Sequence, residues 1–147
     1  MEIERKFTIK ELPDLSNYKY KKLTQAYLNT DPVIRIRRED EKYVLTYKGK
    51  GMLAREEYNL PLNQQSYVHL KSKCDGNIIS KKRYLIPLND LTIELDVFDA
   101  PFAPLIMAEV EFGSLEAAYT FLPPDWFEEE VTHKPEYHNS YMSRQVF

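Results

Sequence analysis

The chain has 147 residues, 43% hydrophobic and 29% charged, which supports one globular domain with a real core and excludes wholesale disorder. The formal net charge of -3 argues against a general nucleic-acid binder, and the single cysteine, Cys74, excludes an internal disulfide and lacks partners at zinc-ligand spacing. Nothing resembles a signal peptide or a membrane span, so the expectation is a cytoplasmic protein with no membrane partner.

In chain order, MEIERKF opens as a strand, and YKKLTQAYL, VIRIRRE, KYVLTYK, AREEYNLPL, SKKRYLI, LTIELDVF and IMAEVEF follow it, rich in aromatic, β-branched or alternating residues. Turn residues separate several of them, among them Thr30-Asp31-Pro32 and the Gly49-Lys50-Gly51 hairpin. Two windows read as helices. One runs from an Asn63 cap to about Lys73, with Tyr67, Leu70 and Cys74 on one side. The other runs from Ser114 to Leu122, where Leu115, Ala118, Tyr119 and Leu122 form an apolar stripe and Pro123 stops it. The tail from Trp126 to Phe147 reads as mixed and helical in pieces. The fold class is α+β, one domain over residues 1–147, dominated by antiparallel strands.

Side chains alternate across a strand, so each strand can be split into two faces. Glu2, Glu4 and Lys6 share one face of the opening strand, and Ile3, Arg5 and Phe7 share the other. The same exercise aligns Arg35 with Arg37, Lys48 with Thr46, Arg55 with Glu57 and Asn59, Lys81 with Arg83, Glu94 with Asp96, and Glu109 with Glu111. The opposite faces are mostly apolar. A half-buried antiparallel sheet with its charges in water explains any one such strand. Here, however, the charges segregate by strand, Arg35, Arg37, Lys81 and Arg83 against Glu94, Asp96, Glu109 and Glu111, whereas a solvated surface mixes signs. The apolar faces also need cover, which two helices and the tail would supply from outside. The pattern therefore suggests a sheet closing on itself with its charges inward.

Clustered Arg and Lys grip phosphate oxygens, and Glu and Asp at alternate positions offer hard oxygen ligands to Mg²⁺ or Mn²⁺. A triphosphate with its metal answers both needs. The string EIERK, followed in order by QAYL, IRIR, LTYKGKG, REEY, KKRY, ELDVF, AEVEF and PPDWFEEEVT, resembles the CYTH superfamily, the triphosphate tunnel metalloenzymes, over nearly the whole chain. The short length is similar to its small bacterial members.

That resemblance implies an eight-stranded antiparallel closed β-barrel, a tunnel with a charged interior that hydrolyses inorganic tripolyphosphate to pyrophosphate and orthophosphate. It implies Mg²⁺ (or Mn²⁺) on Glu2, Glu4 and Glu111, with Glu109 and Asp96 nearby and Glu57 and Glu94 for a second metal or for water. It implies phosphate binding by Lys6, Arg35, Arg37, Lys48, Lys81 and Arg83, with Arg55 as a further candidate. Tyr27 resembles a tunnel tyrosine that pairs with the motif lysine, here Lys6, to orient or deprotonate the attacking water. Departures are Asn59, where relatives carry an acid, and Lys134 and Glu136, which exchange charge with the usual pattern. Alternatives within the fold are adenylyl cyclase and nucleoside or thiamine triphosphatase activity; outside catalysis stands a polyphosphate or nucleotide sensor. The oligomeric state is open, a homodimer being one option. KGKG lacks the helix-opening Gly-Lys-Ser/Thr of a phosphate loop and reads as a hairpin.

Overall fold

The computed structural model describes all of residues 1–147. Ten strands build one antiparallel sheet: β1 (Glu2–Ile9), β2 (Tyr20–Thr30), β3 (Val33–Glu39), β4 (Lys42–Lys48), β5 (Ala54–Arg55), β6 (Glu57–Leu62), β7 (Asp75–Leu88), β8 (Leu91–Phe98), β9 (Ile106–Glu111) and β10 (Phe127–Glu130). The helices are α1 (Gln64–Lys71), α2 (Leu115–Thr120) and α3 (Asn139–Met142), with a 3₁₀ turn at Pro135–Tyr137. None is long and apolar enough to cross a membrane.

The sheet order is β10-β1-β9-β8-β7-β2-β3-β4-β6, and β5 pairs with β1 off that path. The strands number ten rather than the expected eight, and the hydrogen-bonded path runs from β10 to β6 without closing on itself. AREEYNLPL breaks at Glu56, its first two residues bonding to β1 and its remainder to β4. FEEE in the tail adds a strand on β1, although its acidic run shows no apolar alternation.

Two of the three apolar cores lie on the outer face of the sheet, opposite the charges. Phe7, Ile93, Leu95, Val110, Phe112 and Phe127 form the largest, beneath α2 through Ala118 and beneath Phe121. Ala26, Ile36 and Tyr67 form another where α1 lies over β2 and β3. The third, Ile79, Phe98, Phe102, Met107 and Met142 beside α3, is on the inner face: Phe98 lies opposite Lys81 and Met107 opposite Asp96 in the register. Each fully buried side chain of this size contributes about 1.5–3 kcal/mol, so most of this stability is built on the outer face, with the inner cluster beside α3 adding to it. Arg5, on the outer face of β1, is tied down: it meets Glu130 in two bonds of 2.8 Å and donates to the carbonyls of Ala118 and Phe121 at the end of α2.

The Asn63 cap is realised as a capping box with Ser66. The expected apolar stripe of the second helix is not: Ala118 alone is buried, while Leu115, Tyr119 and Leu122 are exposed. The helix ends at Thr120, and the extended Phe121 (ψ 129°) turns its own ring onto Phe7 and Phe112 instead. Cover is also incomplete over β6, where Tyr58 and Leu60 face solvent.

The tail is pinned to β7. The Asn77 amide N–H donates to the Ser143 carbonyl at 2.6 Å, and its side chain donates to the carbonyls of Met142 and Gln145. Gly76, at φ 78°, permits this because any Cβ there would strike the Ser143 carbonyl. Gly76→Ala is expected to lower the unfolding free energy by about 1–3 kcal/mol. Gly113→Ala, whose Cβ would meet nothing, should stay within about 0.5 kcal/mol of the parent in the same denaturant titration.

Candidate active site

The inner face of the sheet surrounds a cavity of about 730 Å³. Glu2, Glu4 and Lys6 reach it from β1, Tyr27 from β2, Arg35 and Arg37 from β3 and Lys48 from β4. Arg55 and Glu57 enter on either side of the Glu56 break, Lys81 and Arg83 from β7, Glu94 from β8, and Glu109 and Glu111 from β9. The structure thus gathers every sequence-predicted site residue into one cavity lining except Asp96. That residue shares the inward face but is fully buried, its carboxylate held by Arg83 (2.7 and 2.9 Å) and Lys81 (2.7 Å).

Buried charges are tolerated when each has a partner. Lys48 meets Glu2 at 2.9 Å and Glu57 at 3.5 Å, Arg55 lies 3.7 Å from Glu2, and Lys6 lies 3.3 Å from Glu109. Arg83 reaches Glu94 at 3.1 Å and Glu109 at 3.3 Å as well as Asp96. Burial pushes the Asp96 carboxyl up, but Arg83 and Lys81 outweigh it and hold it below the usual carboxylate range. For Lys81 burial wins: its ammonium is pushed down to about 8, with Asp96 only partly offsetting and Arg83 adding to the fall.

Apart from the exposed Lys42, four groups of the lining have no opposite charge. Arg35 and Arg37 have no carboxylate partner; Arg35 donates one long bond of 3.3 Å to Thr46, and its Nε is buried with no partner at all. Burial, Arg35 and Arg83 together push Arg37 down to about 10. Glu4 and Glu111 are the complementary pair, directly opposite each other in the β1–β9 register and without ion pair or hydrogen bond. Glu4 is pushed up to about 8 by burial, then by Glu109 and Glu2, and Glu111 is raised by burial and by Glu2 and Glu94. Unpaired guanidiniums fit an anion. Unpaired, crowded carboxyls fit a hard divalent cation, although no three His, Cys, Asp or Glu side chains stand preassembled as a metal cage.

The lining also holds residues to which the sequence assigned no role, one of them, Thr46, already aligned with Lys48. Gln25, Thr46, His138 and Asn139 also line the cavity. Gln25 was findable, because it shares the face of Tyr27 by alternation. Asn139 and His138 come from a short irregular tail that carries no periodic signal. Tyr27 is hydrogen-bonded to Gln25 at 3.1 Å, while Lys6 bonds to Glu109 and, at 3.5 Å, to the Tyr137 carbonyl; no hydrogen bond joins Lys6 to Tyr27. Asn59 accepts from Thr46 at 2.6 Å and donates to Glu57, so it steers a carboxylate. Lys134 pairs with Glu129 at the surface, outside the cavity lining.

Two measurements check this electrostatic picture. Asp96→Asn strips Lys81 and Arg83 of a buried counter-charge and should cost about 3–5 kcal/mol in denaturant unfolding, whereas Glu57→Gln, on the half-exposed rim, should cost under about 1 kcal/mol. His138 donates Nε2–H to the Thr132 carbonyl at 2.8 Å, and burial, then Lys6, push its pKa down to about 4 from an ordinary 6.5. Its folded pKa is depressed, so the unfolded chain binds the proton first and stability is lost as pH falls from about 6.5 toward 4. His138→Gln is expected to flatten that part of a stability-versus-pH curve.

Residues 1–117 match the CYTH domain model. The chain is 38% identical to an inorganic triphosphatase of Nitrosomonas europaea, covering 99% of this chain and 98% of that one. It is 32% identical to an inorganic triphosphatase of Acetivibrio thermocellus, covering 99% and 95%. The crystal structure of the inorganic triphosphatase NE1496 superposes with a TM-score of 0.73 at 35% identity, covering 99% of this chain and 96% of that one. An inward-facing ionic wall in one antiparallel sheet and full-length similarity on two counts lead to one conclusion: the chain belongs to the CYTH domain family.

Proposed function

We propose that this protein hydrolyses inorganic tripolyphosphate to pyrophosphate and orthophosphate, with a divalent cation, inside a closed β-tunnel. The observation that carries the reading is the mismatch inside the cavity: two arginines without carboxylates and two carboxyls without cations, in a lining where the other charges, apart from the exposed Lys42, are paired. A polyphosphate and its metal ion satisfy both at once. The relatives named inorganic triphosphatase support the substrate, and β5, reaching back to β1 one residue before β6, supports closure of the wall.

In this reading Arg35 and Arg37 grip the chain of phosphates first, because no carboxylate inside the protein competes for them. Lys48, Arg55, Lys81 and Arg83 complete the grip while remaining bonded to their carboxylates. Glu4 and Glu111 hold Mg²⁺ (or Mn²⁺), with Glu2, Glu94, Glu109 and Glu57 as further oxygen donors and Asp96 as the counter-ion of Lys81 and Arg83. Bound there, the metal ion supplies charge neutralisation on the phosphate oxygens. Water attacks a terminal phosphorus in line, pyrophosphate leaves, and Lys6 and the basic wall absorb the charge that develops on the oxygens. Tyr27 orients the water and takes part in moving its proton.

Phosphate release from tripolyphosphate, ATP and thiamine triphosphate, with Mg²⁺, Mn²⁺ and Ca²⁺ and a parallel assay for cyclic AMP, tests the reading. Tripolyphosphate is expected to be preferred, and Glu4→Gln to abolish turnover. Tyr27→Phe should lower kcat on the order of 10²–10⁴-fold with little change in substrate affinity; equal losses in both would remove Tyr27 from the chemistry. Tight tripolyphosphate binding without turnover under all three cations would make the protein a sensor instead.

A further inference from the structure

Beneath the phosphate-gripping residues lies a pair of buried amides that the mechanism above leaves without a role. Gln25, 1% exposed, makes four hydrogen bonds: its Oε1 accepts from Arg37 Nε (3.1 Å) and Nη2 (2.9 Å), and its Nε2 donates to Asn139 Oδ1 (2.9 Å) and the Tyr27 hydroxyl (3.1 Å). Asn139 Oδ1 also accepts from Lys81 Nζ at 2.9 Å. The four bonds use the full capacity of one amide side chain.

The polarity of this network has no freedom. A guanidinium only donates, so the Gln25 atom facing Arg37 is its oxygen; an ammonium only donates, so the Asn139 atom facing Lys81 is its oxygen. With both cations fixed, the Gln25 amino group must point at Asn139 and at Tyr27. The oxygen of Tyr27, a residue that lines the cavity, therefore receives a hydrogen bond from Gln25, and the phenol's own proton is left for an acceptor other than Gln25. One end of the network orients a phosphate-binding arginine and the other orients the tyrosine proposed to handle the water.

We propose that Gln25, braced by Asn139 from α3, is a positioning residue that sets the Arg37 fork and the donor direction of Tyr27 together, so that grip and proton handling are aligned by one side chain. The inference rests on the tripolyphosphatase reading for Tyr27, and on geometry alone for Arg37. A buried, fully bonded amide restricts both partners to one orientation, and in catalysis a misplacement on the order of 1 Å costs about 10²-fold. Asn139 reaches the network because Asn77 and Gly76 hold the neighbouring residues Met142 and Ser143 against β7.

The test is a pair of double-mutant cycles on tripolyphosphate turnover, combining Gln25→Met, close in volume but unable to make these bonds, with Tyr27→Phe and with Arg37→Met. Alone, Gln25→Met is expected to lower kcat and raise KM, each by about tenfold. Placed on Tyr27→Phe it should lower kcat by less than about threefold more, and placed on Arg37→Met it should raise KM by less than about twofold more, because the group it positions is gone. Asn139→Ala, a milder change on the far side of Gln25, should repeat the pattern at smaller size if Gln25→Met fails to fold. Losses that multiply fully in every background mean that Gln25 only supports the fold and overturn the proposal, as does a variant kinetically identical to the parent. A parent protein that turns over no substrate overturns the tripolyphosphatase reading instead. The Arg37 arm is then read from calorimetric affinity for tripolyphosphate, where full additivity of Gln25→Met and Arg37→Met would again count against the positioning role.

Discussion

The constraint on which everything else depends is the knot of Asp96 with Arg83 and Lys81. A sheet that turns its ionic face inward removes many charges from water, and the penalty is several kcal/mol per ion unless each finds a close opposite charge. Asp96, wholly out of solvent, meets Arg83 through both carboxylate oxygens and Lys81 through one. That arrangement lets two cations stand in a buried wall before any ligand arrives. It also commits β7 and β8 to one register, since Arg83 lies directly opposite Asp96.

Stability and chemistry are consequently sorted largely to opposite sides of the same strands, the exception being the apolar cluster of Ile79, Phe98 and Met107 on the inner face beside α3. The outward Ile93, Leu95, Ala108 and Val110 are packed to completion, while the inward Glu94 and Glu109 face the cavity. β1 carries both duties within eight residues, Ile3 and Phe7 outward and Glu2, Glu4 and Lys6 inward. Because the two faces share only backbone, the lining can be fitted to a ligand without reworking the core, provided the register holds.

That division also explains what the sequence revealed. A period of two needs no tertiary knowledge, so the cavity residues of β1, β3, β4, β7, β8 and β9 could be read directly from alternation. Asp96 obeys the same alternation but is fully covered, held by Lys81 and Arg83, a burial that periodicity does not encode. The tail defeated the reading for a different reason. His138 and Asn139 lie on a single helical turn, too short for an amphipathic repeat, and their partners Lys6, Gln25 and Lys81 are more than a hundred or about sixty residues away. The stripe expected of α2 failed because a six-residue helix cannot present seven-residue spacing; Leu122 falls beyond its end, and one extended residue delivers Phe121 to the core.

Strand order then decides where the unsatisfied charges fall. β3 lies between β2 and β4, and the cross-strand neighbours of Arg35 and Arg37 are Tyr27, Thr46, Gln25 and Val44, none of them acidic. β9 lies between β1 and β8, and there Glu111 faces Glu4 while Glu109 faces Glu94. Like charges directly opposite destabilise a sheet, and arginines with only neutral neighbours keep their affinity for anions. Had β3 been laid beside β9, these groups would have neutralised one another and left an inert ionic core. The sheet order keeps them apart, so an anion is needed on one wall and a cation on the other. A metal-bound polyphosphate is a ligand that meets both demands with one molecule.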